Sequence, residues 1–158
     1  MLDSGGQGTV CLYKTLPHRD TAGFPELVAV KFDPNSETMN LKETLWLKDQ
    51  TKLMEEKGNN IKIPKYITHS FYKSRRFFVM TYLPESIEDL LKSKGEDKRN
   101  MMIPEVAIKM LNAIEAFHKL GFLHRDIKPS NFRVMDGEVY VSDFGTVASY
   151  LEENGSHI

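Results

Sequence analysis

Residues 123–131 read Leu-His-Arg-Asp-Ile-Lys-Pro-Ser-Asn, setting a carboxylate (Asp126), an ammonium (Lys128) and an amide (Asn131) at short fixed intervals. Twelve residues past Asn131 stands Asp143, followed at once by Phe144 and Gly145. Carboxylate and amide oxygens are the ligands a hard cation such as Mg²⁺ prefers, and a lysine among them offsets anionic charge. This set of side chains suits chemistry on phosphate.

Two further stretches could serve the same chemistry. Residues 4–8 are Ser-Gly-Gly-Gln-Gly, and glycines without a Cβ let backbone N–H groups approach an anion closely. On those residues alone a hairpin turn is the better reading. Lys31 lies near the end of the apolar run Leu-Val-Ala-Val-Lys-Phe, where a buried ammonium needs an anionic partner; on that run alone an edge-strand lysine reaching to solvent is the favoured reading.

The elements that must position these groups follow from pattern and punctuation. A short β-rich run covers 9–14, a loop with Pro17, Gly23 and Pro25 covers 15–26, and Leu27–Phe32 reads as a strand. Leu41, Leu45, Leu47, Leu53 and Met54 recur at helical spacing, with a stop at Lys57 and Gly58. Asn40 with Glu43 three residues on resembles a capping box. Residues 61–71 and 76–81 read as strands joined by a polar turn at 72–75, and Pro84 marks a connector. Ser86 can cap a short helix, Ile87–Lys92, with Glu88 and Asp89 in its first turn.

After a charged loop at 94–100, a helix is expected to begin at Pro104. Its apolar stripe would be Ala107, Leu111, Ile114 and Phe117, with Lys109, Asn112 and Glu115 turned away and Gly121 as the stop. Asp136 and Gly137 between 132–135 and 138–142 signal a hairpin, which puts Asp143 just beyond a strand end.

With 158 residues, 41% of them hydrophobic and 27% charged, the chain has material for one domain core or a piece of a larger one. A net charge of −1 argues against broad electrostatic binding to nucleic acid or membrane. A single cysteine, Cys11, allows no internal disulfide and fits a reducing compartment, so a cytoplasmic or nuclear location is expected. No apolar run reaches bilayer-spanning length, and the first residues lack signal-peptide character.

Taken in order, the glycine loop, Val28-Ala29-Val30-Lys31, a helix, a connector, His124-Arg125-Asp126 with Asn131, and Asp143-Phe144-Gly145 resemble the eukaryotic protein kinase signature. Lys128 between the aspartate and the asparagine resembles the serine/threonine type. Ser86-Ile87-Glu88-Asp89-Leu90 and Ile127-Lys128-Pro129-Ser130-Asn131-Phe132 are similar to the casein kinase I group, and Gly5-Gly6 with Ile63-Pro64-Lys65-Tyr66 to its vaccinia-related branch. The resemblance implies an α+β, bilobal protein-kinase-like fold: a β-rich N-lobe (1–80), a hinge (81–85) and the first part of a helical C-lobe (86–158). It implies that the chain covers about the N-terminal half of such a domain.

Roles carry over residue by residue. The resemblance implies that Ser4, Gly5, Gly6 and Gly8 cover the phosphates of ATP and that Lys31 binds two of them. Val10 and Ala29 would sandwich adenine, with Met80 as gatekeeper and Thr81 to Leu83 as hinge. Asp126 would accept the substrate's proton, Lys128 would steady the phosphoryl group, and Asn131 and Asp143 would hold Mg²⁺. The helix partner of Lys31 is Glu43 by one count and Gln50 by another, with Glu43 preferred. Asp3 stands where the family's loop has its first glycine. The implied activity is transfer of the γ-phosphate of ATP to Ser or Thr of protein substrates, in an acidic context, without nucleic-acid or membrane partners. The alternative is a pseudokinase-like module that binds nucleotide or a partner without transfer.

Overall fold

The computed structural model describes residues 3–5, 8–33, 39–152 and 156–157. Of its first three strands, the second and third follow from β-branched and aromatic residues between turn formers. They are β1 (Asp3–Gly5), β2 (Gly8–Lys14) and β3 (Leu27–Phe32). The helix α1 (Met39–Lys57) follows, then β4 (Tyr66–Tyr72) and β5 (Arg75–Thr81). Next come β6 (Glu85–Ser86), α2 (Ile87–Lys92) and α3 (Glu96–His118). β7 (Phe122–Leu123), β8 (Phe132–Met135), β9 (Glu138–Val141) and β10 (Ala148–Ser149) complete the strands of this α+β architecture, and short 3₁₀ helices form at Arg19–Thr21 and Pro129–Asn131.

The chain divides into two compact units, one of Met1–Asn59 with Pro64–Tyr82, the other of Asn60–Ile63 with Leu83–Ile158. In the first unit, five strands form an antiparallel sheet in the order β1-β2-β3-β5-β4. Residues directly opposite each other across an antiparallel pair share a face. Val10 faces Lys31, Ala29 faces Met80, and Lys31 faces Phe78, so these side chains lie on one side of the sheet. Val28, Val30 and Val79 form a cluster on the other side with Phe32, Ile67 and Phe77 packed against it.

The helix α1 stops at Gly58, which has φ +64°. Its buried side chains are Glu43, Thr44, Leu47, Gln50, Thr51 and Met54, while Leu41, Leu45 and Leu53 are exposed. The apolar spacing therefore announced a helix without marking the face it buries. Part of this largely polar face finds partners inside, as buried polar groups generally do: Thr51 Oγ1 accepts the Tyr66 N–H at 2.9 Å, whereas the buried Thr44 hydroxyl has no hydrogen-bond partner among the described residues. Asn40 lies inside α1 and not at its cap.

The strand expected over 61–71 begins only at Tyr66. Pro64 has no N–H for a ladder, and Asn60–Ile63 belong to the second unit, where the Val141 N–H donates to the Lys62 carbonyl at 2.9 Å. The turn between β4 and β5 is the pair Lys73 and Ser74, both with positive φ (48° and 63°), as a two-residue hairpin turn requires.

In the second unit the Ser86 hydroxyl accepts the Asp89 N–H at 3.0 Å, capping α2. The next helix corrects the reading of 94–104. It begins at Glu96, so the charged stretch is helical and Pro104 sits inside it. Glu96 and Asp97 favour an N-terminus there through the helix dipole. Its buried residues are Val106, Ala113 and Phe117, whereas Ala107 and Leu111 are exposed and Ile114 is half-buried. The row 107, 111, 114 lies about 100° round the helix from the row that docks. Gly121 has φ +88° and its N–H donates to the His118 carbonyl at 2.9 Å, ending the helix. Asp136 and Gly137 form the hairpin turn between β8 and β9, with φ 53° and 78°.

Candidate active site

The first unit supplies a buried ion pair. Lys31 reaches from β3 to α1, where its Nζ donates to both carboxylate oxygens of Glu43, at 2.9 and 2.8 Å. Both side chains are almost wholly buried. Glu43 is therefore the helix partner of Lys31, and Gln50 lies two turns farther along the same buried face. Val10, Ala29 and Met80 share the sheet face of Lys31. Thr81 closes β5 by a reciprocal pair with Lys65: its N–H donates to the Lys65 carbonyl at 2.9 Å and its hydroxyl accepts the Lys65 N–H at 2.8 Å. Leu83, buried, is the first residue of the second unit's long segment.

Ser4, Gly5 and Gly8 are placed by backbone in the β1–β2 hairpin, with Ser4 opposite Thr9 and Gly5 opposite Gly8. Gly6 lies outside the described residues.

The second unit holds the other group. Asp126 Oδ2 accepts from Lys128 Nζ at 2.8 Å and from Asn131 Nδ2 at 2.9 Å. The Asn131 amide also donates to the Asp126 carbonyl at 2.8 Å, pinning the loop on itself. The ammonium hydrogen-bonded to Asp126 holds its carboxyl below the ordinary carboxylate pKa, against a smaller opposing effect of burial. With both donors on Oδ2, the other oxygen is left to meet a ligand.

What fixes this loop is a buried imidazole, to which the sequence reading gave no role. His124 is 1% exposed. Its Nε2 lies 3.0 Å from the Ser142 carbonyl and its Nδ1 accepts the Asp126 N–H at 3.3 Å, an arrangement that fits a neutral ring protonated on Nε2. Burial pushes its pKa down, only partly opposed by the Ser142 carbonyl. Phe117 from α3 and Phe144 stack at 5.9 Å, and each meets the His124 ring edge-on. Phe117 already belongs to the apolar stripe expected from the sequence; no local pattern discloses the imidazole's contacts.

Arg125 (φ 64°) and Asp143 (φ 65°) are held in the left-handed region, where non-glycine residues are uncommon and often functional. Arg125 Nε donates to the Thr146 carbonyl, and the Thr146 hydroxyl donates to the His124 carbonyl at 2.8 Å. The Ser142 N–H and hydroxyl both donate to the Asn131 carbonyl, at 2.9 and 3.0 Å. Asn131 and the residue before Asp143 are thus tied together.

These residues fit a Mg²⁺ ion bound with phosphate. Asn131 uses its NH₂ on Asp126 and keeps its amide oxygen, and Asp143 adds a carboxylate. Among the described residues no cluster of three or more His, Cys, Asp or Glu side chains could hold a metal alone. Mg²⁺ commonly takes one or two protein oxygens and completes its shell with substrate phosphates and water.

The family model described as "Protein kinase domain" matches residues 2–157. A probable casein kinase I homolog of Encephalitozoon cuniculi is 43% identical over 100 residues, covering 61% of this chain and 31% of that protein. The serine/threonine-protein kinase ppk35 of Schizosaccharomyces pombe is 30% identical over 97% of this chain and 24% of its own length. The serine/threonine-protein kinase LATS2 of Homo sapiens is 31% identical over 99% of this chain and 14% of its own length. The chain thus spans about a third or less of the length of these relatives.

Proposed function

The chain belongs to the protein kinase family, and on that premise we propose that it serves a serine/threonine kinase that moves the γ-phosphoryl group of ATP to a protein hydroxyl. The observation that carries this reading is Asp126, kept ionised by Lys128 and held by Asn131 through one oxygen only. Asp126 orients the attacking hydroxyl and takes its proton as the new O–P bond forms and the bond to the β-phosphate breaks, releasing ADP. Lys128 offsets charge on the transferring group. Lys31, oriented by Glu43, offsets charge on the other phosphates, and Val10, Ala29 and Met80 offer an apolar sheet face to the base. Mg²⁺ at Asn131 and Asp143, when bound, neutralises phosphate charge.

Lys128 and the serine/threonine kinases among the relatives support Ser or Thr as acceptor. The motif from Ser86 to Leu90 and the Encephalitozoon relative support the casein kinase I group, and with it substrates in an acidic context.

The test is transfer of labelled γ-phosphate from ATP to casein. Incorporation on Ser or Thr is expected, falling by about 10²–10⁴-fold in Asp126→Asn. Stabilisation by Mg²⁺-ATP without transfer would replace this reading with a nucleotide-binding module.

A further inference from the structure

On the sheet face opposite Lys31 lies a groove of about 1160 Å³ formed within the first unit, slightly larger than the usual range for small-ligand pockets. Its floor is the Val28, Val30 and Val79 cluster with Phe77. The 15–26 loop forms one wall, where Leu16 is 72% exposed, and the β4–β5 turn forms the other, where Tyr72 is 59% exposed. Large apolar side chains left in water beside an apolar floor mark an interaction site.

The two edges differ in charge. On the loop edge Lys14 is neutralised by Glu26 at 2.9 Å, and Asp20 stands beside His18. On the turn edge stand Lys73 and Arg75, with no carboxylate within ion-pair distance among the described residues. The Lys73 ammonium lies 5.4 Å from the centre of the Tyr72 ring. Both cations sit on a hairpin whose register and turn geometry are fixed, so their spacing is preset.

We propose that this groove docks a segment of a partner protein in which aromatic residues alternate with acidic ones. The rings would occupy the valine and phenylalanine floor, and the carboxylates would pair with Lys73 and Arg75. A nucleic-acid strand would satisfy the two cations but leave the apolar floor unused, so a peptide is the better match.

The probe is a fluorescein-labelled peptide, Asp-Asp-Phe-Glu-Phe-Asp, titrated with the protein and followed by anisotropy. Saturable binding is expected, weakened about tenfold by the exposed double change Lys73→Glu with Arg75→Glu, and weakened by raising salt from about 50 to about 300 mM. Replacing both peptide phenylalanines by alanine is expected to weaken binding to the unaltered protein about tenfold, an arm that needs no variant to fold. No saturation, binding indifferent to the charge reversal, binding indifferent to loss of the rings, or tighter binding of a labelled oligothymidine would each overturn the proposal.

Discussion

Lys128 donates to the same carboxylate that is proposed to take the substrate's proton, so its ammonium bears on where Asp126 titrates. Because the ammonium lowers the Asp126 pKa, Lys128→Ala should move the acid limb of the pH profile of kcat/KM upward, toward the ordinary carboxylate range, besides lowering the rate. An acid limb that stays in place would sever the two residues. His124 acts with the opposite emphasis. Its pKa is lowered by burial, so below the unfolded value of about 6.5 the unfolded chain binds more protons than the folded one. The stability it contributes is fully present above about pH 6.5 and is lost as pH falls through its folded pKa. Thermal unfolding of the wild type should therefore drop between about pH 7.5 and about pH 5.5, and the drop should shrink in His124→Gln. Glu43 and Gln50 make a third comparison. Glu43→Gln leaves the Lys31 charge buried without its counter-ion and should cost about 3–5 kcal/mol in urea unfolding. Nucleotide affinity should fall with Glu43→Gln and hold in Gln50→Ala. The sequence left these two positions open because both fall on one helical face; only the reach of Lys31 from β3 separates them.

Elements were legible where a local signal decides them. Leu27–Phe32, the Ser86-capped helix Ile87–Lys92 and the Asp136-Gly137 hairpin stand where strand composition, a hydroxyl cap and a turn dipeptide put them. Legibility failed where tertiary packing chose between equal local options. The stretch 94–100 reads as a loop by charge, yet from Glu96 onward it is the start of α3, and an internal proline did not prevent it. The buried side of α3 was placed correctly at Phe117 but one residue off before it, because 107, 111 and 114 are as apolar as 106 and 113. That difference is measurable. Phe117→Ala should cost about 3–5 kcal/mol, since the ring is fully buried and packs against both His124 and Phe144. Leu111→Gln, at a side chain 69% exposed, should stay within about 0.5 kcal/mol. A reversed ranking in chemical denaturation would contradict the docking of α3. The groups proposed for catalysis were readable for the converse reason, since short spacing in one loop already brings Asp126, Lys128 and Asn131 together.

At the scale of the whole chain, each unit has its own buried core, Val28, Val30 and Val79 in one and Phe117, Phe132 and Val141 among others in the second. Damage to one core should register first in the amides of that unit. Hydrogen exchange in Phe117→Ala should accelerate at Val141 before it does in β3. The partition also has a consequence for anyone who would cut the molecule in two. Asn60–Ile63 precede β4 in the chain but fold with the residues beyond Tyr82. Ile63 is buried there, the Lys62 carbonyl receives the Val141 amide, and the Lys62 ammonium lies 5.7 Å from the centre of the Tyr140 ring. No single scission yields both halves whole: a fragment starting at Leu83 loses the tetrapeptide whose Lys62 carbonyl receives the Val141 amide, and splicing residues 60–63 ahead of Leu83 would restore that stretch to the unit it folds with.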